Sequence, residues 1–339
     1  MASTAATTET LPKRTTFTIG TRKSRLALLQ TDLVLTALKA AWPEYDFNIH
    51  TKETAGDLNT VIPLREFASK NLWTEELEQL LDEKQIDLVV HSLKDVPTQL
   101  PPSCILGAVM EREDPRDVLV VKKGLPYKSI SEIPAGSVVG TSSVRRTAQL
   151  ARHYPQLKVL DVRGNIDTRL AKLDAEDGPF TCIILAAAGL LRTGQGGRIT
   201  QYLDGENGKM LHAVGQGALG VEIRADDELV KGMLDKIGHK QSTLACLAER
   251  NLLRVLEGGC SAPLGVETEW VKDADGKDKL KMRSIVASVD GSEAVHLDMD
   301  GDVASNEEAE AFGLKAANEL VERGAGKILA AIQQNKKAW

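Results

Sequence analysis

The chain has 339 residues, 42% apolar and 27% charged, which excludes a wholly disordered protein and leaves room for two or three cored domains. Acidic residues outnumber basic ones 48 to 42, for a net charge of −6, so a general nucleic-acid binder is disfavoured. The four cysteines, Cys104, Cys182, Cys246 and Cys260, form no CxxC pair, which excludes a disulfide scaffold or zinc ribbon and suits a reducing compartment.

Residues 1–14 are rich in Thr, Ala and Ser without an apolar run, and read as a disordered tail rather than a secretory signal. No stretch approaches the ~20 apolar residues of a membrane span, so a cytoplasmic protein is expected. Strands are expected at Phe17–Gly20, Phe47–Thr51, Asp87–His91, Ile105–Met110, Val118–Val121, Val138–Thr141, Val159–Val162, Cys182–Leu185 and Gly220–Arg224. Runs such as Leu88-Val89-Val90 are continuously apolar, as in strands covered on both faces of an α/β sheet. Helices fall between them. In residues 25–41, Leu26, Leu29, Leu33, Ala37 and Ala41 form one stripe. Residues 74–84 start on Thr74 as a cap, followed by Glu75 and Glu76. Residues 143–153, 165–175 and 243–257 are also helical in pattern. In the last of these Leu244, Leu247, Leu252, Val255 and Leu256 form the apolar face, with a stop at Gly258-Gly259. The C-terminal third changes character. A hairpin over Lys279–Asp290 and Ala294–Asp300 precedes helices near 306–323 and 325–336, which predicts a separate, acidic α+β domain.

The strongest chemical signal is basic. Residues 141–172 hold Arg145, Arg146, Arg152, Arg163, Arg169, Lys158 and Lys172 against Asp161 and Asp167. Arg145 and Arg146 follow a strand and a Gly-Thr-Ser-Ser turn, and Arg163 stands at another strand end before Gly164-Asn165. Ligands of open α/β sheets bind at such carboxyl ends, beside helix N-termini. Arginine takes carboxylate or phosphate with a planar fork. A small polyanionic ligand is therefore expected, with Arg152 left as a surface residue. Gly20-Thr21-Arg22-Lys23-Ser24 repeats the pattern at the first strand. In Val89–Pro97 a buried strand delivers Lys94, a candidate anion holder, and Asp95, which is either a general acid/base or cation stabiliser or an organiser of the turn before Pro97. His91 there reads as a hydrogen-bonded structural histidine. Cys260, in a tight turn after a helix, is the one candidate reactive thiol, whereas the other three cysteines sit in apolar patterns. The glycines of Val214–Gly220 permit positive φ or close backbone approach. Neither a phosphate-binding GxxxxGK[ST] nor an HExxH zinc motif occurs, and no metal is expected.

Several of these segments together resemble one family. They are Gly20-Thr21-Arg22-Lys23-Ser24-Arg25-Leu26-Ala27, Val90-His91-Ser92-Leu93-Lys94-Asp95-Val96-Pro97, Gly140-Thr141-Ser142-Ser143-Val144-Arg145-Arg146 and Val162-Arg163-Gly164-Asn165 with Thr168-Arg169. Ala188-Gly189-Leu190 with Arg192, Gly215-Gln216-Gly217-Ala218-Leu219 and Glu257-Gly258-Gly259-Cys260-Ser261 complete the set. The chain is similar to the hydroxymethylbilane synthase (porphobilinogen deaminase) family from residue 16 to about 265, and more loosely beyond.

The resemblance implies a transferase that joins four porphobilinogen molecules head to tail, releases ammonia and hydrolyses the product to hydroxymethylbilane. It implies a dipyrromethane cofactor in thioether linkage to Cys260, with Asp95 catalytic. Lys94, Thr141, Ser143, Arg145, Arg146, Arg169 and Gln216 align with cofactor-binding positions. Arg22, Ser24, Ser92, Arg163 and Arg192 align with substrate-binding ones. Each pyrrole carries an acetate and a propionate, so the growing polypyrrole chain accumulates the carboxylates that the arginine cluster fits. The implied fold is two periplasmic-binding-protein-like α/β domains around a cleft, residues 15–112 with 212–236 and residues 113–211. A smaller α+β domain, 237–339, carries the cysteine. A monomer without nucleic-acid or membrane partners is expected. The sequence departs from the family at Asn71-Leu72-Trp73-Thr74-Glu75-Glu76-Leu77, where Gly-Leu-Phe-x-Lys-Glu-Leu is common, so Glu75 reverses a charge. Residues 56–72 are a candidate lid. The alternatives are a non-catalytic anion-binding protein and a nucleic-acid binder using the arginine cluster.

Overall fold

The computed structural model describes residues 14–54, 73–256 and 263–337. The expectations for the N-terminal tail, the 56–72 lid, the Gly258-Gly259 stop and Cys260 lie outside those residues. Three sheets organise the rest. The first has the order β2-β1-β3-β10-β4, from Asp46–Lys52, Thr16–Arg22, Leu88–Ser92, Leu219–Arg224 and Cys104–Val109. The second has the order β7-β6-β8-β5-β9, from Lys158–Leu160, Val138–Gly140, Cys182–Ala186, Asp117–Val121 and Gln201–Leu203. The third is the antiparallel meander β11-β12-β13, Leu264–Lys272, Asp278–Ala287 and Ala294–Gly301. The fold is thus two α/β domains and a smaller α+β domain.

In the first sheet β1 runs parallel to β2 and β3, while β10 runs antiparallel between β3 and β4. In the second, β6 is parallel to β7 and β8, and β5 is antiparallel to β8 and β9. The first sheet thus takes β10 from beyond the second domain, whereas the second sheet is built from one continuous segment, and the chain passes between the two near 110–117 and again near 204–218. The apolar runs are buried as expected. Leu88, Val89 and Val90 are at most 4% exposed, and full burial of each such side chain is worth ~1.5–3 kcal/mol.

Helix α1, Arg25–Ala41, buries a different face from the expected stripe. Ala27, Gln30, Thr31, Val34 and Leu38 face inward, whereas Leu33 is 50% exposed. The polar pair can be buried because each has a partner: Thr31 Oγ1 donates to Ala27 O at 2.9 Å, and Gln30 pairs with Ser92. Helix α2, Glu75–Asp82, has Thr74 at its N-cap position, but that hydroxyl makes no capping bond. Helices α3 (Val144–His153) and α4 (Ile166–Asp174) match the expected segments. The short helices α5 (Ala187–Arg192) and α6 (Glu228–Leu234), with strands β9 and β11, were not anticipated. Helix α7, Lys240–Leu256, is central rather than one-sided. It buries Glu249, Arg250 and Asn251 along with its leucines, while Val255 is 37% exposed. Leu244, Ala248 and Leu252 of α7 share one core with Met282 of β12 and with Phe312 and Leu320 of α8, Asn306–Glu322. Helix α9, Ala325–Lys337, closes the chain.

One buried network ties the first domain to the third. Both terminal nitrogens of Arg112 donate to Glu249 at 2.7 and 3.0 Å, and its Nε donates to the Gln216 carbonyl at 2.9 Å. Glu249 also accepts the Gly215 N–H at 2.8 Å and the Thr268 hydroxyl at 2.5 Å. Gly215 and Gly217 have φ of +68° and +85°, and a Cβ at Gly217 would lie 2.3 Å from the Glu113 carbonyl. The positive φ expected of those glycines is met at both, and the close contact is with the chain's own backbone.

Candidate active site

The first wall of the cleft is the carboxyl edge of the first sheet. β1 ends on Arg22, whose guanidinium carbon lies 4.0 Å from the Trp73 ring centroid. Ser24 caps α1, its Oγ accepting the Ala27 N–H at 3.4 Å. β3 runs into a single 3-10 turn, Leu93–Asp95. Leu93 and Val96 are buried beneath that turn, so Lys94 and Asp95 are held on a fixed base. Ser92 exchanges hydrogen bonds with Gln30 at 2.9 and 3.0 Å. The Lys94 side chain is open to solvent yet ringed by protein, and that surrounding mass pulls its pKa down to about 8. Arg146 and Arg145 push it down further, whereas Asp95 and Asp117 oppose the shift. His91 is buried and paired with Glu222 at 2.9 Å, the structural role expected of it.

The second wall is cationic. β6 ends at buried Thr141, whose Oγ1 accepts the Ser143 N–H at 3.2 Å. Ser143 in turn caps α3 by accepting the Arg146 N–H at 3.4 Å. These bonds occupy oxygen lone pairs, which leaves the hydroxyl hydrogens of Ser24, Thr141 and Ser143 able to donate to an anion. Arg145 and Arg146 are not free surface groups; they are 7% and 6% exposed and both grip Asp117. Burial alone would raise the Asp117 pKa, but the two guanidiniums override it and hold the carboxyl far below the usual range. Arg169 donates from Nε to the Gly164 carbonyl at 2.7 Å. Burial, then the charges of Arg146 and Arg163, bring Arg169 down to about 10. At the crossing, Arg192 donates to the Gly217 carbonyl at 2.7 Å, and buried Gln216 donates to Asp117 and the Pro115 carbonyl at 2.8 and 2.7 Å.

The walls face one another. Arg145 and Arg146 act on Lys94, and Asp95 acts on Arg169. At the mouth, Arg25 reaches Asp167 at 3.3 Å and the Thr193 carbonyl at 3.4 Å. The fold therefore gathers Lys94, Asp95, Arg145, Arg146, Arg163 and Arg169 into one electrostatic set. Arg22, Ser24 and Ser92 stand on the first wall, Thr141 and Ser143 on the second, and Arg192 and Gln216 at the crossing. Among the described residues three buried polar atoms of this set lack a hydrogen-bond partner: Arg146 Nε, Arg192 Nε and Gln216 Oε1. Sequence reasoning passed over Asp117 and Glu249. Asp117 opens an apolar strand 28 positions before Arg145, and no local pattern joins the two. The other three cysteines are free and buried, with burial pushing each thiol up to about 12.

Two family models match the chain. "Porphobilinogen deaminase, dipyromethane cofactor binding domain" covers residues 17–232, and "Porphobilinogen deaminase, C-terminal domain" covers residues 243–322. The chain belongs to the porphobilinogen deaminase family. The porphobilinogen deaminase of Yarrowia lipolytica is 53% identical over 319 residues, spanning 93% of this chain and 92% of that one. The porphobilinogen deaminase of Neurospora crassa is 50% identical over 330 residues, spanning 96% of both. That of Saccharomyces cerevisiae is 46% identical over 326 residues, spanning 95% and 98%. Among solved structures the methionine binding protein MetQ overlaps 70% of this chain and 96% of its own, at 12% identity and a TM-score of 0.40.

The described residues fit the dipyrromethane of a porphobilinogen deaminase. Its acetates and propionates need N–H donors, which unpartnered Arg146 Nε and Arg192 Nε supply. Its pyrrole N–H groups need acceptors, and the carboxylate of Asp95 and Gln216 Oε1 are of that kind. No described helix is long and apolar enough to cross a membrane.

Proposed function

We propose that this cleft condenses four porphobilinogen molecules head to tail with loss of ammonia, on a dipyrromethane primer, and then hydrolyses the product to linear hydroxymethylbilane. The observation that carries this reading is the opposition of the Lys94–Asp95 turn to Arg145, Arg146, Arg163 and Arg169 across one cleft. When bound, the dipyrromethane would supply the pyrrole carbon to which the first substrate is joined, each later one adding to the end of the growing chain. The chain's own residues do the rest. Arg146, Arg163, Arg169, Arg22 and Arg192 take substrate and product carboxylates, with Ser24, Thr141 and Ser143 as hydroxyl donors and Ser92 joining them once its hydroxyl turns from Gln30. Lys94 and Gln216 complete the binding set. Asp95 gives a proton to the substrate amine as its C–N bond breaks and ammonia leaves. The Asp95 carboxylate then lies beside the methylene cation left behind. After the new C–C bond forms, Asp95 recovers the proton displaced from the pyrrole carbon. Such positioned acid–base work is worth ~10²–10⁴-fold in rate.

Cys260 forms the thioether in this proposal, because Cys104, Cys182 and Cys246 are buried and kept as thiols. The domain division is 15–112 with 212–236, 113–211, and 237–339, supported by the three sheets. A single chain acts alone, since both walls come from it, and the unpaired thiols fit a cytoplasmic location. Intact mass spectrometry tests the central claim. The purified chain should carry the extra mass of two linked pyrroles, lost in Cys260→Ala together with activity. A fully active chain at its bare sequence mass would sink the mechanism. Light scattering at working concentration should give one chain per particle.

A further inference from the structure

We infer that Asp117 is a positioning residue for the reaction: it sets the angle and spacing of the Arg145 and Arg146 guanidiniums and of the Gln216 amide that face the bound pyrroles. The inference rests on the proposed function and adds a residue that touches no substrate. Asp117 is the first residue of β5 and is fully buried. Its Oδ2 accepts from Arg145 Nη1 at 2.7 Å, and its Oδ1 accepts from Arg146 Nη2 at 2.6 Å and from Gln216 Nε2 at 2.8 Å. One carboxylate thus fixes three side chains from two separate segments, α3 and the 211–218 crossing.

The remaining bonds of those side chains show what this achieves. Arg145 Nη1 also donates to the Leu211 carbonyl at 2.6 Å, and Arg146 Nη1 to the Ile184 carbonyl at 2.7 Å. Gln216 Nε2 also donates to the Pro115 carbonyl. Each group is held from two sides, so its orientation is fixed to the sheet edge rather than chosen by the ligand. What stays unpartnered is one donor, Arg146 Nε, and one acceptor, Gln216 Oε1. Carboxylate and pyrrole N–H call for these two kinds of group, and both orientations descend from Asp117. The carboxylate also sets charge. Without it two buried cations would lie side by side and repel one another in a low-dielectric site. With it the trio carries a net +1, enough to attract a carboxylate and too little to force the arginines apart.

The test uses two variants of the full chain, with wild type alongside. Asp117→Glu keeps the charge and both acceptor oxygens but moves them out by one methylene. It should keep a melting temperature within a few degrees of wild type. The fraction of chain carrying the two-pyrrole mass, or kcat/KM of the loaded fraction, should drop at least tenfold. Asp117→Asn keeps the size and loses the charge, and should lower loading by a hundredfold or more. Should it be isolated only as an unfolded chain, Asp117→Glu decides alone. Wild-type loading and kcat/KM in Asp117→Glu overturns the inference, whether or not its melting temperature falls. Absence of the two-pyrrole mass from wild type overturns instead the proposed function, so the two failures are told apart.

Discussion

The two walls of the cleft handle charge in opposite ways. On the first, Lys94 and Asp95 stand on a three-residue turn, and Lys94 is open to solvent with a pKa near about 8. On the second, Arg145 and Arg146 are buried and bolted to Asp117. A protonatable, accessible pair suits chemistry, because protons must come and go. A locked guanidinium pair suits recognition, because its charge does not vary with pH and little side-chain freedom remains to be lost when an anion binds. In the proposed function, reaction and retention thus fall to different domains, which are joined where Gln216 meets Asp117 and Arg192 meets Gly217.

Asp95→Asn should break this division most severely. Turnover should fall by ~10²–10⁴-fold, while intact mass still shows the two-pyrrole adduct, since the second wall is untouched. A near-normal rate of porphobilinogen consumption would reject Asp95 as the acid–base. Arg112→Gln attacks what holds the first wall to the third domain. It strands the buried Glu249 carboxylate, so denaturant unfolding should show a loss of ~3–5 kcal/mol. That carboxyl is held below its ordinary value by Arg112 against the cost of burial. Its contribution is therefore present above the unfolded carboxylate pKa and fades as pH falls through the native one, and the gap between wild type and variant should narrow in acid.

Lys94 sharpens the contrast in titratability. The protein mass around it lowers it to about 8, so its charge is full below that pH and lost above it. Wild-type kcat/KM, which reports the free enzyme, should decline above pH about 8. Lys94→Arg should abolish that alkaline limb, because a guanidinium stays charged. A persistent limb in the variant would assign it to another group. The smallest effect belongs to Arg25→Ala. The Arg25–Asp167 pair is 61% and 52% exposed, so its loss should change stability by less than ~1 kcal/mol, and less still in high salt.

The strands were legible because continuous apolar runs such as Leu88–Val90 have few alternatives once a sheet must be covered on both faces. The face of α1 was not. Hydrophobicity ranks Leu33 above Gln30, yet Gln30 is buried because Ser92, 62 positions away, answers its amide. β9 and β11 escaped for a related reason. Gln201–Leu203 is three residues long, and β11 is buried along its first residues only, so neither presents a sustained pattern. The site divides in the same way. Lys94, Asp95 and the arginines were visible because strand ends followed by helix starts mark a binding edge. Asp117 and Glu249 were invisible because each is defined by partners brought together only by the completed fold.

The placement of β10 governs how the chain is made. It fills the gap between β3 and β4, but the ribosome reaches its last residue, Arg224, 115 residues after Val109 ends β4 (224 less 109). At ~5–20 residues per second, the nascent first domain waits roughly 6–23 s with two adjacent strand edges unpaired. Those edges carry Val89, Val90 and Ile105, the kind of template that recruits a neighbouring chain. A ribosome stalled within the second domain therefore leaves a segment that aggregates or is taken by a chaperone, whereas a stall far enough past Arg224 for β10 to clear the exit tunnel leaves a closed sheet.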